Sequence, residues 1–113
     1  MPEHEPSHRG AVDVIRQLSP DLAEAFTGAR GTIERLGPLD TKQRELIMVA
    51  GLATARIEGG FRVHAKRALD AGASAVELRQ AVLLMLFSTL GIAPVATALQ
   101  WADEVIAERE VDG

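Results

Sequence analysis

The chain has 113 residues, 47% hydrophobic and 25% charged, which is ordinary usage for one globular domain. Its formal net charge of −4 gives no positive electrostatic potential that would attract phosphates, so we expect no nucleic-acid partner. It contains no cysteine, which excludes disulfides, thiolate metal sites and thiol chemistry. No apolar run has the length of a membrane span and no signal-peptide pattern is present, so we predict a soluble, cytoplasmic protein without membrane contact.

The first ten residues are polar and non-periodic, and they predict a flexible lead-in over 1–10. His4 and His8 stand four residues apart, a spacing that can bind a metal on a helix, but Pro6 lies between them and disfavours a helix. We therefore interpret both as solvated tail histidines and predict no metal site in the chain. Residues 11–109 are predicted to form a single all-helical domain.

Apolar residues in this domain recur at the 3.6-residue spacing of helices, and no segment alternates as a strand does. A short first helix is predicted over 11–18 and a second from about 21 to 36, with Ser19 at its N-cap and Pro20 at its first helical position. The third begins at a capping box on Asp40, and the fourth contains His64 and stops at Gly72. The fold class is therefore all-α, with roughly six helices around a helical hairpin.

The fifth helix starts at a capping box formed by Ser74 and Glu77. From Ala81 to Phe87 it reads AVLLMLF and is apolar all the way round, a pattern typical of a helix buried on every side. In a domain of this size, covering so much apolar surface requires a neighbouring subunit as well as the core. We therefore expect a homo-oligomer. The sixth helix is predicted over about 94–108, followed by a frayed acidic end.

Two polar residues interrupt the apolar pattern of the third and fourth helices. Glu45 opens the run LIMVAGLATA, and His64 is the only histidine outside the tail. Antiparallel helices bring together residues that lie equally far from their turn, so a site shared by these two requires a break near Ala53–Arg56. Local propensity favours a break at Gly59-Gly60 instead. We predict the earlier break, which leaves the glycine amides in the first turn of the fourth helix, open to an anion.

An imidazole exchanges protons near neutral pH, so His64 is the candidate general acid/base; alternatively it braces two helices. Glu45 is the candidate group that orients and charges His64, although the helix dipole alone favours an acid there. Arg67, three residues after His64, could receive a substrate carboxylate. Weaker candidates for that role, each of which could equally be a surface base, are Arg56, Arg62 and Lys66.

The segment ELIMVAGLATARIEGGFRVHAKRALDAGASAVELRQAVLLMLF resembles the core of the carboxymuconolactone decarboxylase family, to which the alkylhydroperoxidase D proteins also belong. The resemblance covers roughly residues 40–107 and is most specific at HAKRALDAGASAVEL. It implies a six-helix bundle of the alkylhydroperoxidase D type, site roles for Glu45 and His64, no cofactor, and assembly as a trimer or hexamer.

In the peroxidase-type members the resemblance implies a glutamate, a C-x-x-C pair and a histidine. Glu45 and His64 match the outer positions, but Ile57 and Gly60 stand at the cysteine positions. Because the thiolate is the nucleophile of a disulfide-cycling peroxidase, we expect no thiol-dependent peroxidase turnover.

Decarboxylase-type members also lack the cysteine pair and keep the histidine. The resemblance thus implies cofactor-free proton transfer or decarboxylation on a small carboxylated or lactone substrate. Those members tend to read G-x-P near the next helix, whereas this chain reads Gly91-Ile92-Ala93-Pro94. The alternative is a catalytically inactive family member that acts as an oligomeric binding module.

Overall fold

The computed structural model of the protein describes residues 10–112, which contain six α-helices, one 3-10 helix and no strand. The prediction of an all-α fold with about six helices is confirmed. These residues belong to two compact units that divide after Pro38, and a single domain over 11–109 stays a prediction. His4 and His8, with the rest of 1–9, lie outside the described residues.

The first unit contains helices α1 (Ala11–Leu18) and α2 (Pro20–Arg35). Ser19 separates them in an extended conformation, and its hydroxyl accepts a hydrogen bond from the backbone amide of Leu22. This cap satisfies an amide that has no partner within the helix. The helix start predicted at Ser19-Pro20 is confirmed.

The second unit begins at Leu39. Its elements are the helices α3 (Thr41–Ala55), α4 (Glu58–Asp70) and α5 (Ala75–Leu83), a 3-10 helix (Leu84–Phe87) and the helix α6 (Ile92–Asp112). Capping boxes at Asp40 and Ser74 start α3 and α5 as predicted. After α4, Gly72 adopts a φ of 102°, which a side chain would disfavour.

All four α-helices of this unit contribute to one apolar core, whose largest fully buried side chains include Phe61 and Leu78. The Phe61 ring meets Trp101 of α6 edge-on, with centroids 5.5 Å apart. The core consists of Val49, Ala53, Phe61, Ala65, Leu69, Leu78, Val82, Leu90, Val95, Ala98, Ala102, Val105 and Ile106. No described helix combines the length and the apolar character that crossing a membrane requires.

The fifth α-helix ends before its apolar run does, and part of that run is exposed in the single chain. The α-helix stops at Leu83 and tightens into the 3-10 helix, after which three successive amides hydrogen-bond to the carbonyl of Met85. Leu84 is 56% exposed and Phe87 is 90% exposed. The all-apolar pattern predicts cover by a neighbouring subunit as well as by the core, and the single chain leaves one of its sides uncovered.

The sixth helix also differs from its predicted bounds, because it begins at Ile92 and continues to Asp112. Pro94 is therefore the third helical residue. Proline is tolerated there because amides of the first turn have no acceptor within the helix. The acidic residues near the end, predicted to be frayed, are helical through Asp112.

An ion pair joins the beginnings of α3 and α5, and it gives folding a dependence on pH. The Glu77 carboxylate accepts a hydrogen bond from the backbone amide of Ser74, and Lys42 Nζ lies 3.1 Å from Glu77 Oε2. The Ser74 amide, followed by Lys42, lowers the pKa of Glu77 below its ordinary value of 4.5. Because the folded state favours the charged carboxylate, its stabilisation is present above pH 4.5 and is lost as the pH falls through the lowered pKa.

We expect wild type to unfold at higher urea concentration than Glu77→Gln at neutral pH, with a difference that vanishes in acid. Glutamine keeps an acceptor for the Ser74 amide and loses only the charge. Urea unfolding of both proteins between neutral pH and strong acid measures the difference. Lys42→Gln is the matched control and should make the stability less dependent on pH. A stability difference between wild type and Glu77→Gln that stays constant with pH would contradict a stabilising role for the Glu77 charge.

Candidate active site

The chain turns back between α3 and α4 at Arg56, which has a left-handed conformation (φ 60°, ψ 40°). The Arg56 amide bonds to the carbonyl of Ala53 and the Ile57 amide to that of Leu52, which is the hydrogen-bond pattern of a Schellman motif. A non-glycine residue in this conformation costs about 1–2 kcal/mol. The predicted break near Ala53–Arg56 is confirmed, and Gly59-Gly60 lies inside the first turn of α4.

This turn brings Glu45 of α3 and His64 of α4 into direct contact. The distance from Glu45 Oε1 to His64 Nδ1 is 2.6 Å. The two side chains are only 10% and 12% exposed, respectively, so water competes little for the bond. A carboxylate only accepts hydrogen bonds, so Nδ1 carries the hydrogen and donates it.

The second ring nitrogen of His64, Nε2, has no hydrogen-bond partner among the described residues. In that part of the chain, no buried side-chain nitrogen or oxygen lacks a partner. Nε2 must therefore reach solvent. In a neutral ring whose Nδ1 donates to Glu45, Nε2 holds a free lone pair and can accept a proton.

Ile57 and Gly60, which the resemblance aligns with the cysteines of peroxidase-type members, lie at the N-terminus of α4. Ile57 is its N-cap residue and is half exposed, and Gly60 is the third helical residue. A Cβ placed on Gly60 would lie 3.0 Å from Leu52 Cδ2 and 3.6 Å from Ile57 Cγ2. The glycine thus allows the close approach of α3 and α4 at this level.

The contact between Leu52 and the Gly60 backbone is not among the sequence-based predictions. Its only signal in the sequence is the distance of Leu52 from the turn, since the rule that pairs Glu45 with His64 also pairs Leu52 with Ile57.

The structure separates Arg62 from the other three basic candidates. Arg67 is exposed, one turn after His64, and it forms no ion pair with another described residue. Burial opposes the charge of Arg62, but hydrogen bonds to Glu104 and Glu58 outweigh it and raise the pKa of this guanidinium. Those carboxylates occupy Arg62, so it is a poor receptor for a substrate. The remaining candidates are exposed: Arg56 and Lys66.

Glu58 is the first residue of α4, and its carboxylate lies 2.9 Å from Arg62 Nε. An acidic side chain at this position stabilises the N-terminus of the helix through the helix dipole.

The described residues bring together no group of three metal-binding side chains. A cavity of about 370 Å³ opens elsewhere in this unit, between α3 and the α5 region, and neither Glu45, His64 nor Arg67 lines it.

Comparisons with known proteins identify the chain at the level of a family. A model described as the carboxymuconolactone decarboxylase family matches residues 20–104. A search of curated proteins and a search of solved structures gave no significant match. The matched region contains the hairpin with Glu45 and His64 and most of the chain. The chain belongs to the carboxymuconolactone decarboxylase family.

Proposed function

We propose that the protein catalyses cofactor-free proton transfer or decarboxylation on a small carboxylated or lactone substrate, with His64 as general acid/base. The observation that supports this most strongly is the 2.6 Å contact between Glu45 Oε1 and His64 Nδ1. It orients the imidazole and leaves Nε2 as the reactive nitrogen. The family match supports the proposed substrate class.

The chemistry needs one group that moves a proton to and from carbon. In the proton-transfer step, Nε2 takes a proton from the carbon next to a carbonyl, and the electron pair of the C–H bond moves into an enolate. In the decarboxylation step, the bond to the leaving carboxylate breaks, its electron pair remains as an enolate, and protonated His64 returns a proton to carbon. Glu45 stabilises the imidazolium of His64 in both steps.

Arg67 is the proposed receptor for the substrate carboxylate, since it is one turn from His64 and forms no ion pair with another described residue. We expect Arg67→Gln to raise KM about tenfold or more with little change in kcat, because a charged hydrogen bond contributes about 1.5–3 kcal/mol. The neighbouring Lys66→Gln is the matched control. Equal KM values in both variants would remove Arg67 from the site.

The function is tested by incubating the purified protein with a panel of small carboxylic lactones, beginning with a carboxymuconolactone. Loss of carbon dioxide and exchange of substrate hydrogen with deuterium from solvent are the two readouts. We expect at least one compound to react with wild type and none to react above background with His64→Gln. Equal reaction in the two proteins would contradict a role for His64.

The second candidate is an inactive family member that binds partners as an oligomer. The observation that favours it is the uncovered apolar side formed by Leu83, Leu84 and Phe87, which are 45%, 56% and 90% exposed. Contiguous exposed apolar surface marks interfaces. A small-molecule substrate is a prediction of the first candidate alone, and a cytoplasmic location remains a prediction under either candidate.

The same surface carries a prediction that holds for both candidates, namely that the protein is a homo-oligomer, a trimer or hexamer. We expect a multiple of the 12.1 kDa chain mass in sedimentation velocity at micromolar concentration. Phe87→Asp should lower that mass, because it places a charge in the contact. Thr97→Asp, an exposed change on α6, is the control. A monomeric wild type would refute the prediction.

A further inference from the structure

We propose that α2 of one subunit docks, through an exposed apolar stripe, into the cavity between α3 and α5 of a second copy of this chain. The α2 stripe consists of Leu22, Phe26, Ala29 and Ile33, whose spacing of four, three and four residues places them on one face of the helix. Leu22 is 56% exposed, Phe26 53% and Ile33 67%. The inference concerns assembly and is independent of the proposed chemistry.

The first unit cannot bury this stripe in a core of its own. Among its described residues only Ala23 is buried, and its two described helices have 8 and 16 residues. Helices of this length depend on the packing of an apolar face for their stability. The α2 stripe therefore needs a surface outside α1 and α2.

The charges of α2 favour a protein partner over a membrane. The helix contains three acidic residues and two arginines, and the Nε of Arg30 lies 2.9 Å from a carboxylate oxygen of Glu34. An amphipathic helix that lies on a membrane typically has a polar face rich in lysine and arginine. Because α2 has no such excess of positive charge, we assign its stripe to a protein surface.

The second unit provides an apolar surface of similar length. Six of the eight residues that line the cavity of about 370 Å³ between α3 and α5 are apolar. The lining extends from Glu77 to Met85, about 12 Å along the chain axis, and the α2 stripe extends about 16 Å from Leu22 to Ile33. Ile47 and Leu84 of the lining are 57% and 56% exposed. A docked helix would thus remove apolar surface from water on both partners.

A second copy of the chain is the occupant that fits the rest of the surface. Leu84 belongs both to the cavity and to the uncovered apolar side that we predict to be the oligomer contact, so the docked stripe would extend that contact. Because the stripe and the cavity are different surfaces, their contact repeats from copy to copy and can close into a ring. A ring agrees with the predicted trimer or hexamer.

Introduced thiols test the contact cleanly, because the chain has no cysteine. Ala29→Cys labels the stripe, and Ala81→Cys and Ala50→Cys label the α5 and α3 walls of the cavity. The stripe variant is co-expressed with either wall variant, the two chains carry tags of different mass, and the protein is oxidised mildly. Denaturing electrophoresis measures the cross-linked pairs, and peptide mass spectrometry identifies the linked positions.

We expect a disulfide between two chains for Ala29→Cys combined with at least one wall variant. Gly28→Cys is the matched control, because it lies outside the stripe, one residue before Ala29, and a Cβ added there meets nothing within 4 Å. Two thiols held in contact have an effective concentration in the roughly millimolar range, so the cross-linked fraction at micromolar protein should exceed the control about tenfold or more.

A disulfide within one chain of the double variant Ala29→Cys/Ala81→Cys would overturn the proposal, as would equal cross-linking by Gly28→Cys. Ala29→Cys chains that link mainly to each other would show that the stripe binds a second α2 instead. Wild type that sediments with anionic lipid vesicles and does not self-associate would assign the stripe to a membrane. An oligomer without either cross-link contradicts the docking alone, whereas a monomeric wild type also refutes the predicted homo-oligomer.

Discussion

Replacing His64 by glutamine should lower kcat on a responsive lactone by about 10²–10⁴-fold, the usual contribution of a positioned general acid/base. Glutamine can still hydrogen-bond to Glu45 but cannot accept and return a proton, so the hairpin is retained while the chemistry is lost. Glu45→Gln should also lower kcat. Its amide can donate to Nδ1 and thereby move the ring hydrogen to Nε2, which then cannot act as a base.

The double variant Glu45→Gln/His64→Gln should lose no more activity than His64→Gln alone, because residues that act as one unit are strongly non-additive. Steady-state kinetics of the four proteins measure this. Gly59→Ala, one turn away and open to solvent, is the control with wild-type kcat. Additive losses in the double variant would indicate that the two residues act independently.

The largest expected effect on stability comes from Phe61, which is fully buried and packs edge-on against Trp101. Phe61→Ala should lower the free energy of unfolding by about 3–5 kcal/mol, since it removes a buried ring and leaves a cavity. Urea unfolding monitored by circular dichroism measures the change.

Val76→Ala, at a side chain that is 71% exposed on α5, serves as the control and should change the free energy by no more than about 0.5 kcal/mol. Similar losses in the two variants would mean that Phe61 is not central to the core. The comparison also separates stability from chemistry, because neither residue has a role in the proposed mechanism.

The break of the hairpin could be predicted only with long-range information. Local glycine propensity favours a break at Gly59-Gly60, whereas a site shared by Glu45 and His64, which the family resemblance supports, requires a break near Arg56. The structure ends α3 at Ala55 and puts Arg56 in the left-handed conformation that glycine usually takes. The reason for Gly60 is the approach of Leu52, which is a tertiary contact and invisible to local propensity.

Other features could not be derived from one sequence. The run from Ala81 to Phe87 is apolar on all sides, and periodicity alone cannot distinguish a helix buried in its own chain from one covered by another subunit. That Arg67 forms no ion pair with another described residue was equally hidden, because Arg62 has the same charge and lies on the same helix. Only the positions of Glu58 and Glu104 around Arg62 separate the two arginines.

The pairing of Glu45 with His64 is tested most directly by the ring nitrogens themselves. A long-range ¹H–¹⁵N correlation spectrum at neutral pH distinguishes a protonated from an unprotonated nitrogen in each histidine, and His64→Gln identifies the signals. We predict that neutral His64 carries its hydrogen on Nδ1 and leaves Nε2 unprotonated, and that Glu45→Gln removes this preference. A wild-type ring with its hydrogen on Nε2, or a spectrum that Glu45→Gln leaves unchanged, would contradict an acid/base pair built on Glu45 and His64.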